Sequence, residues 1–157
     1  MFFSIVIPTY NRKPILEKCI SALEQQVIAD RALVAGYEII IVDDGSTDDT
    51  IPWLQNATLP HVRWFEQADQ GPAIARNLGV NKAQGDFIIF IDSDLVVTET
   101  FIQSHAKCLN QSDSPSFTYG RVINTANFDH PTAEPYKLTD FSAAYFATGN
   151  VAIHRQW

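Results

Sequence analysis

Apolar residues along the chain fall into two alternating regimes: short unbroken runs, and segments in which they recur every three or four positions. The runs are Phe2 to Ile7, Tyr37 to Val42 and Phe87 to Ile91, with a weaker one from His61 to Phe65. Continuous rather than alternating apolar character is expected of parallel strands covered on both faces. Between them, Leu16, Cys19, Ile20, Leu23 and Val27 recur at helical spacing, with Pro14 in a first turn where its missing N–H costs nothing. Residues 28 to 36 have no clean period and read as a longer connection. Ser46-Thr47-Asp48-Asp49 offers an N-cap and first-turn acids for a short helix through Leu54. Pro72 starts a helix whose Ala73, Ala75, Leu78, Gly79 and Ala83 form a small-residue face suited to close approach to a sheet, and Thr98 caps a helix carrying Phe101, Ile102, Ala106 and Leu109. Beyond residue 115 the pattern predicts a strand over Phe117 to Ile123, an irregular Asn-, Pro- and Thr-rich stretch over 124 to 140, a helix over Phe141 to Phe146 and a last strand over Gly149 to Ile153.

Four strand and helix alternations predict right-handed parallel crossovers and a layered α/β sheet in one domain, which 157 residues can supply with a single sizeable core. Ligands of such sheets bind outside the carboxyl ends of the strands. Three strands end there in polar groups: Pro8-Thr9, where proline and the following Asn11 are expected to stop the strand, Asp43-Asp44-Gly45, and Asp92-Ser93-Asp94. Two carboxylates two positions apart on an extended strand face one side, and at roughly 6 Å with an effective dielectric of about 20 they repel by about 3 kcal/mol. That edge calls for a cation.

Charge narrows the partners. With 11 basic residues scattered among 18 acidic ones and a net charge of −7, the chain lacks the clustered cations of a nucleic-acid surface. Cys19 and Cys108 are too few for a disulfide framework and read as buried thiols of a reducing compartment. Met1 leads straight into a strand, with no signal peptide, and no run approaches the 18 apolar residues of a membrane span. The expected location is cytoplasmic, with peripheral attachment at the inner membrane face as the alternative. His61, His105, His130 and His154 have no ligand spacing and read as surface or core residues.

Neither G-x-G-x-x-G nor G-x-x-x-x-G-K-[ST] follows the first strand, which disfavours a Rossmann dehydrogenase or a P-loop enzyme. Bound phosphates would need another source of charge balance, such as a divalent cation on Asp94 with Arg76 nearby. A D-x-D by itself is weak evidence, because spaced aspartates also cap turns.

Taken together, four motifs in order carry more: Ser4-Ile5-Val6-Ile7-Pro8-Thr9-Tyr10-Asn11-Arg12, Val42-Asp43-Asp44-Gly45-Ser46-Thr47-Asp48, Gly71-Pro72-Ala73-Ile74-Ala75-Arg76-Asn77-Leu78-Gly79, and Asp92-Ser93-Asp94. Their order and spacing resemble those of family 2 glycosyltransferases, and Gly149-Asn150-Val151-Ala152-Ile153-His154-Arg155 is similar to that family's G-N-x-A-[FI]-x-R strand. The resemblance implies a GT-A, Rossmann-like three-layer sandwich with a mostly parallel central sheet, residues 1–95 forming the nucleotide half and 96–157 part of the acceptor half. It implies that Pro8, Thr9 and Tyr10 line the base and ribose, that Asp44 bonds the base, usually uracil, and that Arg76 reaches the base or diphosphate. Asp92 would contact ribose or help hold Mn²⁺ or Mg²⁺, Asp94 would ligate that metal, Ser93 would lie between them on the donor, and Gly149 and Asn150 would border the sugar and acceptor. The implied partners are a nucleoside diphosphate sugar, with UDP as the nucleotide, and a saccharide or lipid-linked acceptor whose hydroxyl attacks with inversion. The family's general base lies in an acidic motif beyond the position of Trp157, so a shortened chain with no assigned base is expected; Glu134 and Asp140 match nothing in that motif.

Two rival readings remain at this level. Asp92-Ser93-Asp94-Leu95-Val96 also fits the D-x-D-x-[TV] pattern of haloacid-dehalogenase-type phosphatases with Asp92 as nucleophile, although that motif normally ends the first strand. A nucleotide-sugar-binding module without catalysis is the other.

Overall fold

The computed structural model describes residues 1–112, 116–125, 137 and 149–157. The expected irregular stretch over 124 to 140, beyond residue 125 and apart from residue 137, the expected helix Phe141 to Phe146, and His130, Glu134 and Asp140 lie outside the described residues.

Among the described residues six strands form one sheet: β1 (Phe2–Thr9), β2 (Gly36–Asp43), β3 (Val62–Glu66), β4 (Phe87–Ile91), β5 (Thr118–Tyr119) and β6 (Asn150–His154), in the order β3-β2-β1-β4-β6-β5. The first four run parallel. β6 pairs antiparallel with β4, and β5 antiparallel with β6. The helices are α1 (Lys13–Glu24), α2 (Thr50–Asn56), α3 (Pro72–Lys82) and α4 (Phe101–Asn110).

Alternation along β1 sorts the two faces. Phe3, Ile5 and Ile7 pack with Leu16, Cys19, Ile20 and Leu23 of α1, Leu54 of α2, and Ile102 and Ala106 of α4. On the other face Val6 joins Ile40, Val42 and Ile88 beneath Ala75 of α3. A β-carbon on Gly79 would lie 2.4 Å from Val6 Cγ1, so only glycine lets α3 settle this close to β1. The expected small-residue face thus exists, with Ala75 and Gly79 buried and Ala73 exposed.

The chain leaves β1 for β2 on one side and returns through α3 to β4 on the other. Strand order therefore reverses between β1 and β4, where open α/β sheets leave a crevice at their carboxyl ends. Thr9 and Asp92 border that switch point.

Several boundaries differ from the periodicity. β1 continues through Pro8 and Thr9, because pairing with β4 ends at Val6 and Pro8 has a neighbour only on the β2 side. Val27 is exposed rather than part of α1's buried stripe: the helix stops at Glu24, and Val27 N donates to Glu99 O instead. Gln26 Oε1 accepts from Ile102 N, so an orphan amide of α4 is satisfied from the end of α1, and Thr98 does not cap it with its side chain. The strand expected over Phe117 to Ile123 is reduced to Thr118–Tyr119. Cys19 is buried as expected, but Cys108 is exposed.

Away from the switch point the sheet is locked by a buried carboxylate. Glu38 Oε1 accepts from Ser4 Oγ at 2.6 Å and Gln84 N at 2.7 Å, and Oε2 from Arg63 Nη1 at 2.7 Å. Burial pulls its pKa upward, but the bonds from Ser4, Gln84 and Arg63 outweigh that and hold it below the usual carboxylate range. No helix among the described residues is long and apolar enough to cross a membrane.

Candidate functional site

Asn11 ties the ends of β1 and β2 together. It adopts φ 50°, its N–H donates to Ser46 Oγ, and its Oδ1 accepts from Thr47 N at 2.7 Å and Asp48 N at 3.1 Å. Asparagine tolerates this left-handed backbone better than most residues, and its amide replaces strand pairing where the ladder has ended. Asp43 is fully buried and braces the Gly45 turn through Oδ1, which accepts from Gly45 N and Ser46 N.

Asp44 points to the other side. Its Oδ1 accepts from Gln67 Nε2 at 2.7 Å and Gln70 N at 3.0 Å, and its Oδ2 from Gly71 N at 2.8 Å. One carboxylate thereby shapes the loop that feeds Pro72 into α3, and it retains one lone-pair direction for a ligand donor.

Asp92 and Asp94 lie just past β4 in a tight turn closed by Leu95 N donating to Asp92 O at 3.3 Å. This corrects the expectation that both carboxylates project from one extended strand. The cationic demand is met twice over. Arg76 of α3 donates from Nη2 to Asp92 Oδ1 at 2.7 Å, and Arg12, at the start of α1, donates from Nη1 to Asp94 Oδ2 at 2.6 Å. The Arg12–Asp94 pair is half exposed, at 50% and 43%, so it contributes only about 0.2–1 kcal/mol and yields readily to a stronger partner. Beneath the turn, Cys19 Sγ sits 3.9 Å from Asp92 O. Burial, with the negative charge of Asp94 and then Asp92 adding to it, pushes that thiol up to about 12, so it remains a protonated donor.

Pro8, Thr9, Tyr10, Asp44, Arg76, Asp92, Ser93 and Asp94 all line one cavity of about 370 Å³, together with Arg12 and Pro72. Thr9 Oγ1 and Arg76 Nε, which belong to two of its lining residues, are buried without a hydrogen-bond partner among the described residues, as are Asp43 Oδ2, Thr50 Oγ1 and Gln103 Nε2 outside that lining. Buried polar atoms are usually paired with protein groups or with ordered water. A second cavity, of about 890 Å³, shares Asp92 and Asp94 and extends between α4 and the β5–β6 end of the sheet, where Gly149 and Asn150 line it. A β-carbon on Gly149 would lie 2.6 Å from Asp92 Oδ2, so the bare glycine leaves the carboxylate its space.

Arg12 and Gln67 carry structural weight that no expectation gave them, while His105, expected at the surface or in the core, is buried. Arg12 stands inside the first motif, at a helix start, and its position there is the signal that could have found it. His105 follows Phe101 by four residues on the apolar face of α4, which marks a buried histidine. For Gln67 no local signal exists, because its partner is 23 residues away.

Comparison with known proteins bears on what this arrangement does. The family model for Glycosyl transferase family 2 matches residues 4–152. An uncharacterized glycosyltransferase of Haemophilus influenzae is 42% identical over 95 residues, 58% of this chain and 35% of that protein. The Campylobacter jejuni GalNAc(5)-diNAcBac-PP-undecaprenol beta-1,3-glucosyltransferase is 36% identical over 95 residues, again 58% of this chain and 29% of that protein. The crystal structure of S. aureus TarS 1-349 in complex with UDP-GlcNAc superposes with a TM-score of 0.61 at 25% identity, covering 71% of this chain and 32% of that one. The chain therefore spans about a third of the length of these relatives.

Proposed function

The chain belongs to glycosyl transferase family 2, and from that premise we propose that it binds a nucleoside diphosphate sugar, with UDP as the nucleotide, and passes the sugar to an acceptor hydroxyl with inversion. The observation that carries this is the convergence of four separated segments, the ends of β1, β2 and β4 and the first turns of α3, on one cavity with two unpartnered buried polar atoms. Its dimensions suit the nucleotide, and the larger cavity that shares Asp92 and Asp94 has room for the sugar and an acceptor. S. aureus TarS, which shares the fold, binds UDP-GlcNAc.

Thr9 and Tyr10 border the base and ribose, and the remaining acceptor direction of Asp44 meets a base N–H. Arg76 holds Asp92 in place and sets its positive charge beside the diphosphate. Asp92 and Asp94 fit a divalent cation: they are two partly exposed carboxylates, and no group of three or more acidic, histidine or cysteine ligands occurs among the described residues. Mg²⁺ and Mn²⁺ take one or two carboxylates when ligand phosphates complete the shell. Bound there, the ion would supply Lewis-acid stabilisation of the diphosphate. In the transfer, the acceptor oxygen bonds to the anomeric carbon from the side of the larger cavity as the bond to the diphosphate oxygen opposite it breaks, the nucleoside diphosphate leaves with that electron pair, and the hydroxyl proton passes to water. Among the described residues Asp92 and Asp94 are the acids on that cavity's walls, and both hold arginines, so neither is assigned as the base.

A phosphatase nucleophile at Asp92 finds no support, since Asp92 follows the fourth strand, β4, rather than the first, and Arg76 already holds its Oδ1. Calorimetric titration with UDP, with and without Mn²⁺, tests the proposal. Binding strengthened by Mn²⁺ and weakened by Asp94→Ala is expected; no affinity for UDP under either condition would overturn it.

A further inference from the structure

The larger cavity contains a hydrogen-bonded chain that the nucleotide site does not use. His105 of α4 is 5% exposed; its Nε2 lies 3.0 Å from Asn150 Oδ1 and its Nδ1 2.6 Å from Thr118 Oγ1. With Asn150 Oδ1 facing it, an oxygen that can only accept, Nε2 must carry the ring proton, and Nδ1 then accepts from the Thr118 hydroxyl, which can play either part. The edge-on ring of Phe101, at 4.8 Å between centroids, packs against the imidazole. Burial keeps it neutral, pushing its pKa below the usual histidine range, and the Asn150 bond opposes this only in part.

The consequence falls on Asn150. Its backbone O accepts from Gly120 N at 3.1 Å, and a β-carbon on Gly120 would lie 2.2 Å from Asn150 Nδ2, so Gly120 leaves the space the amide occupies. Asn150 pairs with Ile91, the last residue before Asp92, which puts its amide on the cavity wall beside the proposed cation site. Among the described residues its Nδ2 has no hydrogen-bond partner.

We propose that His105 is a positioning residue that turns the Asn150 amide so that Nδ2 donates into the larger cavity, to an oxygen of the sugar carried by the nucleotide. This rests on the donor-binding reading above and deepens it: Asn150 recognises the sugar, not the nucleotide, and His105 fixes its orientation. Removal of the ring donor frees the amide to rotate and present its oxygen to another oxygen, which would repel.

Calorimetry with UDP and with UDP-GlcNAc on the full chain separates the parts. His105→Phe and Asn150→Ala are each expected to lower affinity for UDP-GlcNAc about tenfold while leaving UDP unchanged, and the double variant is expected to bind no more weakly than Asn150→Ala alone. His105→Gln, whose amide can donate in place of Nε2, is expected to stay within about twofold of the parent. A His105→Phe chain in which both ligands weaken equally, or whose ratio of affinities is unchanged, overturns the inference while the donor-binding reading stands. If the parent binds neither ligand, that reading falls and this inference with it. Should His105→Phe fail to fold, Asn150→Ala and His105→Gln make the same comparison: equal loss of both ligands in the first, or a tenfold loss in the second, overturns it.

Discussion

Arg76 donates from Nη2 to Asp92 Oδ1 at 2.7 Å, a contact that joins α3 on one face of the sheet to the turn after β4. The arginine is only 17% exposed, so its charge is held largely within the protein, and its buried Nε has no hydrogen-bond partner among the described residues. Arg76→Ala is therefore expected to weaken UDP binding by about tenfold or more, the scale of a charged hydrogen bond. Arg76→Lys should recover little of it, because an ammonium cannot hold Asp92 and present a second donor in the same plane. Titration calorimetry on both variants checks this.

Asp94 forms a half-exposed pair with Arg12. Asp94→Asn should change folding stability by no more than about 1 kcal/mol in urea titrations. The same substitution should remove the gain in UDP affinity that Mn²⁺ confers. Arg12→Gln should do the opposite for the ion alone, tightening Mn²⁺ binding in the absence of nucleotide, since the competing guanidinium has gone.

Gly149→Ala places a methyl group 2.6 Å from Asp92 Oδ2. The partly exposed Asp92 side chain must turn away or β6 must shift, at a cost of up to about 1–3 kcal/mol by the scale of overpacked sites. Chemical denaturation would show the loss, and UDP binding should fall with it, because Asp92 is displaced from Arg76.

Acid should unfold the chain partly through Glu38. Its pKa is depressed in the folded state, so in acid the unfolded chain holds more protons and stability rises with pH there. The contribution is present above about pH 4.5 and lost as pH falls through the lowered value. Glu38→Gln should flatten this part of the stability profile, measured by urea denaturation between pH 3 and 6, and should cost about 1–3 kcal/mol at neutral pH for the bonds it no longer makes.

The two thiols should separate by reactivity. Cys19, buried and pushed up to about 12, should resist a disulfide reagent at pH 8, whereas exposed Cys108 reacts. One thiol per native chain and two per denatured chain is the expected count, read by absorbance.

Much of this architecture is local in origin. Unbroken apolar runs mark strands buried on both faces, three- and four-residue spacing marks helices, and proline at a first turn marks a start, because each depends on neighbours a few positions away. Hence β1 to β4, α1, α3 and α4 were legible within a few residues, and eight of the ten residues that line the smaller cavity were named from the motifs at the strand ends. What only the tertiary structure decided lies between distant positions. The antiparallel entry of β6, the division of two arginines between Asp92 and Asp94, the bracing of Asp44 by Gln67 and the turn of Asn150 toward His105 depend on pairs 16 to 82 residues apart. No periodicity records which partner will be nearest once a sheet has closed. The exposure of Cys108 belongs there too, since helical spacing places a residue on a face, and only packing determines whether that face is covered.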